Sequence, residues 1–531
     1  MIAELDRSLK GGGPGGPGGR GDHPLQILTR KRLFPTALLD LVQQNGNHRA
    51  TERSFWIDSR WGSNATPMKQ TELHSSRQAG SRAASTTKFP SLGAASPYAW
   101  KLVALLSLGG CFEIYNLALT ATLSPGLIRS GIFHEDSRGL WGLTDQASFA
   151  AATFAGLFVG TAVLGAFADK FGRRTIFIFS MLWYSVTTVG MALQHSAAGI
   201  DAWRFFTGIG LGLELVTIDT YIAELVPASV RGRAFAINQS IQLLAIPVAT
   251  FLSWQLLPRD LLGIAGWRWV AVVGAIGALV AYYIRRQVPE SPQWLLKRGR
   301  LEEAQRVLEK IEPNSTGYIA NRLHEIVSVR PDVSSFFSLL RNPYVGRTLV
   351  LIVLNIFQAS GFYGLVNWLP TLLISRGFTI LRSLRYTFII SIVYPLSPLL
   401  FVPIADKIER KWHIVLAAGS AAVLGLLFSR PAGSLVLVTL GILLTISNNW
   451  LSFAYHAYQA EMYPTLVRAR GVGFVYSFSR LSTVVSSFLI AHLLRRFGPF
   501  GVFGFIACSM AIVVVTVGLF GPRTRVTATQ E

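Results

Sequence analysis

Two cysteines in 531 residues, Cys111 and Cys508, both lie inside apolar stretches. That scarcity excludes a disulfide framework and a cysteine-based metal site. Charge is also thin, at 15% of residues against 51% hydrophobic ones, and acids are the scarcer sign, 28 against 49 basic residues. Soluble domains usually carry about a quarter charged residues. No Gly-x-x-x-x-Gly-Lys-Ser/Thr phosphate loop occurs, which argues against an ATP-driven pump. No nucleophile–base constellation points to an enzyme either. No apolar run follows the N-terminal charges, so a cleavable signal peptide is not expected.

Long apolar runs are what the chain has in plenty. A spanning helix needs roughly 20 apolar residues. Runs of that kind cover about 99–128, 144–168, 175–194, 203–221, 234–257, 267–284, 345–374, 386–405, 414–428, 434–458, 472–494 and 500–520. Twelve spans predict an all-α membrane protein of two six-helix bundles, 96–285 and 345–522. Between them, 286–344 reads as a linker with short amphipathic helices: Leu295, Leu301, Ala304, Val307, Leu308 and Ile311 make one stripe. Residues 523–531 form a short tail. Residues 1–95, Gly/Pro-rich and then rich in Arg, Ser and Thr, read as a disordered basic extension.

The net charge of +21 collects in alternate loops, as at Lys170, Arg173 and Arg174 or Lys407, Arg410 and Lys411. Basic loops stay cytoplasmic, so both termini and the linker are expected on the inner side of a plasma or inner membrane. This placement favours topology over nucleic-acid contact. Arg376, Arg382 and Arg385 depart from the alternation.

One membrane-edge signature is written twice. Ala168-Asp169-Lys170 returns as Ala405-Asp406-Lys407, and Tyr221, Glu224, Pro227 and Arg231 return as Tyr458, Glu461, Pro464 and Arg468. Both steps are 237 residues long, so the chain is read as a duplicated bundle, the architecture of solute carriers.

Gly165-Ala-Phe-Ala-Asp-Lys-Phe-Gly-Arg-Arg174 resembles the loop between the second and third spans of the major facilitator superfamily. Its second copy has Glu409 where the first has Gly172. Arg204 with Gly208, Gly210 and Gly212 is similar to that superfamily's fourth-span pattern. Pro289-Glu-Ser-Pro-Gln-Trp-Leu295 and Gly521-Pro-Arg-Thr524 are similar to signatures of its sugar-porter and metabolite:proton-symporter branches. The resemblance spans about 98–525. It implies two bundles around a cavity that opens to alternate sides. In that picture Asp169, Arg173, Glu224, Arg231, Asp406, Arg410, Glu461 and Arg468 form an inter-helix charge network that latches one state.

Ionisable residues inside the spans carry the mechanism, because a charge at mid-bilayer costs roughly 2.5–3.5 kcal/mol on insertion scales. Glu113 lies mid-span, with Asn116 and Thr120 on its helical face. Phe112-Glu-Ile-Tyr-Asn116 is similar to a first-span pattern of proton symporters in which carboxylates accept protons. Glu113, Glu214 and Asp219 are therefore the proton-coupling candidates. Glu214 and Asp219 stand about 140° apart on a helix, so one is expected in the cavity or paired with Arg204 and the other at the helix end. Arg480 is either an anion-binding guanidinium or a static bridge to Glu113 or Glu214. Asn116, Arg204, Gln358, Tyr363, Asn367, Trp368, Asn448 and Asn449 complete the substrate-binding set.

These readings predict a transporter driven by the proton gradient, with no cofactor and no metal. Its partners would be the bilayer, protons and a small organic anion, an aromatic or other monocarboxylate, and a monomer would suffice. A sugar or polyol transporter, or a uniporter, is the alternative. A solute sensor is the reading from another class, favoured only by the N-terminal extension.

Overall fold

The computed structural model describes residues 96–134, 144–164, 167–226, 231–311, 339–340, 343–401, 403–404, 407–430, 433–463 and 465–523. The expected 1–95 extension and most of the linker beyond Ile311 lie outside these residues, as do Asp406 and the 524–531 end.

Helices dominate because the apolar runs are long and their starts are capped. The first helix, α1 (Pro97–Thr122), opens with Pro97 at a position needing no backbone donor, and the Ser96 hydroxyl accepts from the Ala99 amide at 3.2 Å. After it come α2 (Asp145–Val159), α3 (Arg173–Ala192), α4 (Ala197–Leu225), α5 (Arg231–Leu256) and α6 (Gly266–Ile284). The second half holds α7 (Val345–Val366), α8 (Ile380–Ser391), α9 (Arg410–Ser429), α10 (Ser434–Glu461) and α11 (Thr465–Val515). In α11, Gly498 adopts φ +62° and Pro499 follows, so the helix breaks into two arms. Among the described residues nine helices are long and apolar enough to cross a membrane, α11 counted once. Its two arms, α2 with the π-turn Gly160–Leu164, and α8 with Ser397–Phe401 bring the spans to twelve.

One expected span is discontinuous. The run over 345–374 is α7 followed by a break at Asn367 and Trp368 and a short helix, Leu369–Ile374, that carries Pro370. Proline leaves a helical carbonyl without its donor and turns the chain there.

Glycines decide how α2 and α4 cross. A Cβ on Gly208 would meet the Thr153 carbonyl at 2.3 Å, and one on Gly156 would meet that of Phe205 at 2.1 Å. Gly212 and Gly160 repeat the arrangement one turn on. With no aqueous driving force between helices, such close backbone approach is what membrane packing rewards.

The linker helices Pro292–Lys297 and Leu301–Ile311 lie on the face that carries the charged repeats, where the Ser96 hydroxyl donates to the Lys310 carbonyl at 3.2 Å. At the opposite face, Arg376 donates to the Phe428 carbonyl and lies over the Phe428 and Phe503 rings at 5.0 and 5.8 Å. This cation, an exception to the charge alternation, thus caps the end of α9.

The halves meet along two seams. α5 and α8 are joined by Thr250 and Ser391, 2.8 Å apart, and by the stacked rings of Trp254 and Phe388. α2 meets the second half through Phe154 against Tyr363, at 4.6 Å between ring centres, and through Gln146, which accepts from the Thr371 hydroxyl at 3.0 Å.

Candidate functional site

Arg480 sits near the middle of the first arm of α11 and is fully buried. Its guanidinium donates to the hydroxyl of Tyr363 at 2.7 Å and of Tyr476 at 2.5 Å. It also lies over both rings, at 5.7 and 4.7 Å. Tyr476 is one turn before Arg480, which puts the two on one face. Among the described residues no carboxylate lies within ion-pair distance of this cation, so the expected static bridge to Glu113 or Glu214 is absent. Its Nε is buried without a hydrogen-bond partner.

The first half faces Arg480 with acids. Glu113 is buried on α1, within electrostatic reach of both Arg480 and Asp219, and its Oε1 has no partner. Glu214 is also buried and lies in reach of Glu113. It packs toward α3, where the Ser180 hydroxyl is 3.5 Å away. Asp219, by contrast, is exposed although it lies inside a span, and it acts on Tyr476 of the other half. His456 on α10 is likewise exposed, beside Tyr455, Tyr476 and Arg480. Exposed side chains among buried ones mark a cleft between the halves. Asp219 lies six residues, roughly 9 Å at 1.5 Å per residue, from the end of α4 at the charged face. Asp219 therefore lines the cleft in the part of the span nearer that face.

Three expectations are corrected. Arg204 touches no carboxylate among the described residues. It is buried, donates to the Asn116 carbonyl at 2.5 Å, Thr120 at 2.8 Å and Thr153 at 2.9 Å, and lies 5.2 Å from the Phe149 ring centre. It ties α1, α2 and α4 together. The Asn116 amide is engaged in the same way: its Nδ2 donates to the carbonyls of Phe112 and Gly274, and its Oδ1 accepts from Thr188 at 2.9 Å. Glu214 anchors no helix end, being mid-helix and enclosed.

The amides of the second half divide. Asn449 donates to Ser397 at 3.2 Å, a packing contact. Asn448 has both amide atoms buried without a partner, and Asn367, at the α7 break beside the buried Trp368, has an unpartnered Nδ2. Gln358 is buried on α7.

At the charged face, matched pairs appear in both halves. Arg173 meets Glu224 at 3.3 Å, and Arg410, 237 residues on, meets Glu461 at 3.4 Å. Glu224 also accepts from the Ser291 hydroxyl. The Tyr221 hydroxyl donates to the Pro289 carbonyl and that of Tyr458 to the Pro522 carbonyl at 3.1 Å. Each pair joins helices of one half. Arg231 donates to the Val226 carbonyl at 3.5 Å. Asp406 and the side chains of Asp169 and Arg468 lie outside the described residues. Among the described residues no cluster of three metal-ligating side chains occurs.

Sequence reasoning passed over Tyr476, Tyr455 and His456. The signal was present: a tyrosine four residues before a buried arginine, and a histidine inside an apolar span.

Comparison with known proteins agrees with this architecture. Residues 102–531 match the family described as "Sugar (and other) transporter". The chain is 29% identical over 425 residues to the putative metabolite transport protein YyaJ of Bacillus subtilis, covering 78% of this chain and 90% of that protein. It is 25% identical to the niacin transporter NiaP of Acinetobacter baylyi, covering 79% and 93%. Among solved structures, the partially occluded inward-open xylose transporter XylE of E. coli superposes with a TM-score of 0.68 at 20% identity, over 81% of this chain and 99% of that one.

Proposed function

The chain belongs to the sugar (and other) transporter family of the major facilitator superfamily, and we propose that it is a proton-coupled symporter of a small organic anion, an aromatic or other monocarboxylate. Members of this family are secondary transporters and not enzymes, and the multi-pass membrane setting follows from the family and the helices.

Arg480 carries the proposal. A guanidinium that is buried in a span, lies between two tyrosines and has no carboxylate within ion-pair reach among the described residues is a costly feature unless an anion completes it. Tyr363, Tyr476 and Tyr455 supply ring walls for a planar solute. The Glu113 carboxylate, facing Arg480 across the cleft, is the group to carry the proton, with Asp219 at the mouth as relay. Substrate carboxylate and proton would then enter together, each offsetting a buried charge. Alternating access follows from two halves that pivot on the α5–α8 and α2–α7 seams, with the charge pairs of each half setting its inner rim. The charged face is assigned to the cytoplasm of a plasma or inner membrane, and a single chain suffices.

A neutral sugar is the second reading, favoured by the buried amides of Gln358, Asn367 and Asn448 and by the likeness to a xylose transporter. Equilibrium binding separates the two. Benzoate and xylose are titrated against wild type and Arg480→Ala; the anion reading expects benzoate to bind wild type and to be lost on substitution. Xylose binding that survives Arg480→Ala, with no benzoate binding in either protein, would instead establish the sugar reading.

A further inference from the structure

The 237-residue step that relates the two halves places His456 of α10 where Asp219 stands in α4. Both side chains are exposed although both lie within spans, so matched positions of the two halves line one cleft. Asp219 enters the proton reading above; His456 has no part in it. The Nδ1 of His456 lies 2.7 Å from the Ser452 carbonyl one turn earlier. A carbonyl only accepts, so Nδ1 carries the hydrogen, and the neutral ring turns the lone pair of Nε2 outward.

The neighbours of that imidazole define what it can meet. Tyr455 lies 4.1 Å away between ring centres and Tyr476 5.6 Å away, and Tyr476 in turn lies 4.7 Å from the Arg480 guanidinium. The cation and the imidazole thus both border the Tyr476 ring, and they can be no farther apart than those two steps laid end to end. One benzene ring with a carboxylate hydrogen-bonded at one edge and a donor at the other fits within that limit. Arg480, Tyr476 and Tyr455 are the titratable groups packed nearest His456, and Asp219 of the first half acts on Tyr476. Arg480 offers donors only; an acceptor beside it reads the opposite polarity.

We infer that His456 sets substrate specificity: it accepts a hydrogen bond from a hydroxyl or ring N–H on an aromatic carboxylate whose carboxylate group rests on Arg480. This rests on the anion reading above and narrows it. The preferred solute is a hydroxybenzoate-like acid, and an acid whose ring offers only an acceptor is disfavoured, because two lone pairs then face each other. A site built around a hydrogen bond rejects analogues that lack the partner more strongly than an apolar pocket rejects a lost methylene.

The test is equilibrium binding of benzoate, 3-hydroxybenzoate, 4-hydroxybenzoate and nicotinate to the purified full chain, as wild type, His456→Phe and His456→Gln. Wild type is expected to bind at least one hydroxybenzoate tenfold or more tightly than benzoate and nicotinate. His456→Phe should bring that ratio below threefold, and His456→Gln, which keeps an acceptor oxygen, should retain part of it. Wild type that binds benzoate and both hydroxybenzoates alike would overturn the inference and leave the anion reading standing. A tenfold ratio that persists in both variants would do the same. Should His456→Phe fail to fold, the wild-type ratio and His456→Gln decide. Binding of none of the four acids would overturn both the inference and the anion reading.

Discussion

Replacing one glycine by alanine at three places in the bundle separates backbone contact from every other effect of the substitution. At Gly208 the new Cβ would sit 2.3 Å from the Thr153 carbonyl oxygen, a backbone atom of α2. A comfortable contact is roughly 3.5 Å, so α2 and α4 must part by about 1 Å. Gly156, Gly160 and Gly212 hold the same crossing and cannot yield locally. Overpacking of this kind costs about 1–3 kcal/mol. At Gly473, on α11, nothing lies within 4 Å of the added carbon. The gain in helix propensity on replacing glycine, about 1 kcal/mol, applies at both sites and cancels in their difference. At Gly210 the nearest atom is Cδ1 of the Trp183 side chain at 2.7 Å, which can shift, so an intermediate effect is expected. Thermal unfolding of the purified protein in detergent, read by tryptophan fluorescence, gives the order. Gly473→Ala should melt highest, Gly210→Ala next, and Gly208→Ala lowest. Gly208→Ala melting at or above Gly473→Ala would refute the account of the α2–α4 crossing.

The two clasps at the charged face should differ in strength despite their matched residues. Arg173 and Glu224 are each 9% exposed, whereas Arg410 and Glu461 are 22% and 41% exposed. Glu224→Gln removes the more enclosed pair and should cost more than Glu461→Gln, which should cost about 1 kcal/mol or less, as read by the same melting assay. Gly172, at φ +97°, would place a Cβ 2.4 Å from the Glu290 carboxylate, so Gly172→Ala should destabilise by about 1–3 kcal/mol on strain and contact together. Glu113→Gln in proteoliposomes should abolish accumulation driven by a pH gradient while solute exchange continues; accumulation at wild-type level would remove Glu113 from proton coupling. Asp169→Asn is expected to lower uptake with membrane insertion intact, and normal uptake would refute a latch role for that residue.

Much of the architecture could be read from the sequence because membrane folding writes it in one dimension. Apolar length gives the spans and loop charge gives the charged face. The 237-residue step marks the same charged residues in both halves, and the fold then pairs Arg173 with Glu224 and Arg410 with Glu461, since what holds the ends of α3 and α4 holds those of α9 and α10. The central residues were harder, for a physical reason. Periodicity tells which side chains share a face of one helix but not which helix that face meets. Asn116 lies one turn beyond Glu113, and both look like cavity residues from α1 alone. Only the fold shows that Phe112, Gly274 and Thr188 consume the Asn116 amide, while Glu113 looks toward Arg480. Arg204 and Arg480 likewise look alike as lone arginines in apolar runs. One is enclosed by threonine hydroxyls and a backbone carbonyl, the other by tyrosines at a cleft.

Duplication and divergence therefore divide by depth. At the rim both halves keep the same tyrosine and the same Arg–Glu pair, because those groups close helix ends wherever a half occurs. In the centre the correspondence fails: Leu451 stands where Glu214 has its counterpart, His456 where Asp219 has its own, and Leu243 is the counterpart of Arg480. The three central acids, Glu113, Glu214 and Asp219, are in the first half, and Arg480, the cation within electrostatic reach of Glu113, is in the second. Two identical centres would either repel each other as like charges or leave nothing polar to bind. Unlike centres attract across the cleft, and that attraction favours closure of the empty protein. In the proposed symport, an anion on Arg480 together with a proton on Glu113 would remove both charges at once, so that the loaded protein could rock as freely as a neutral one. An anion without its proton would leave Glu113 charged and the halves unequal, so the two would have to move together.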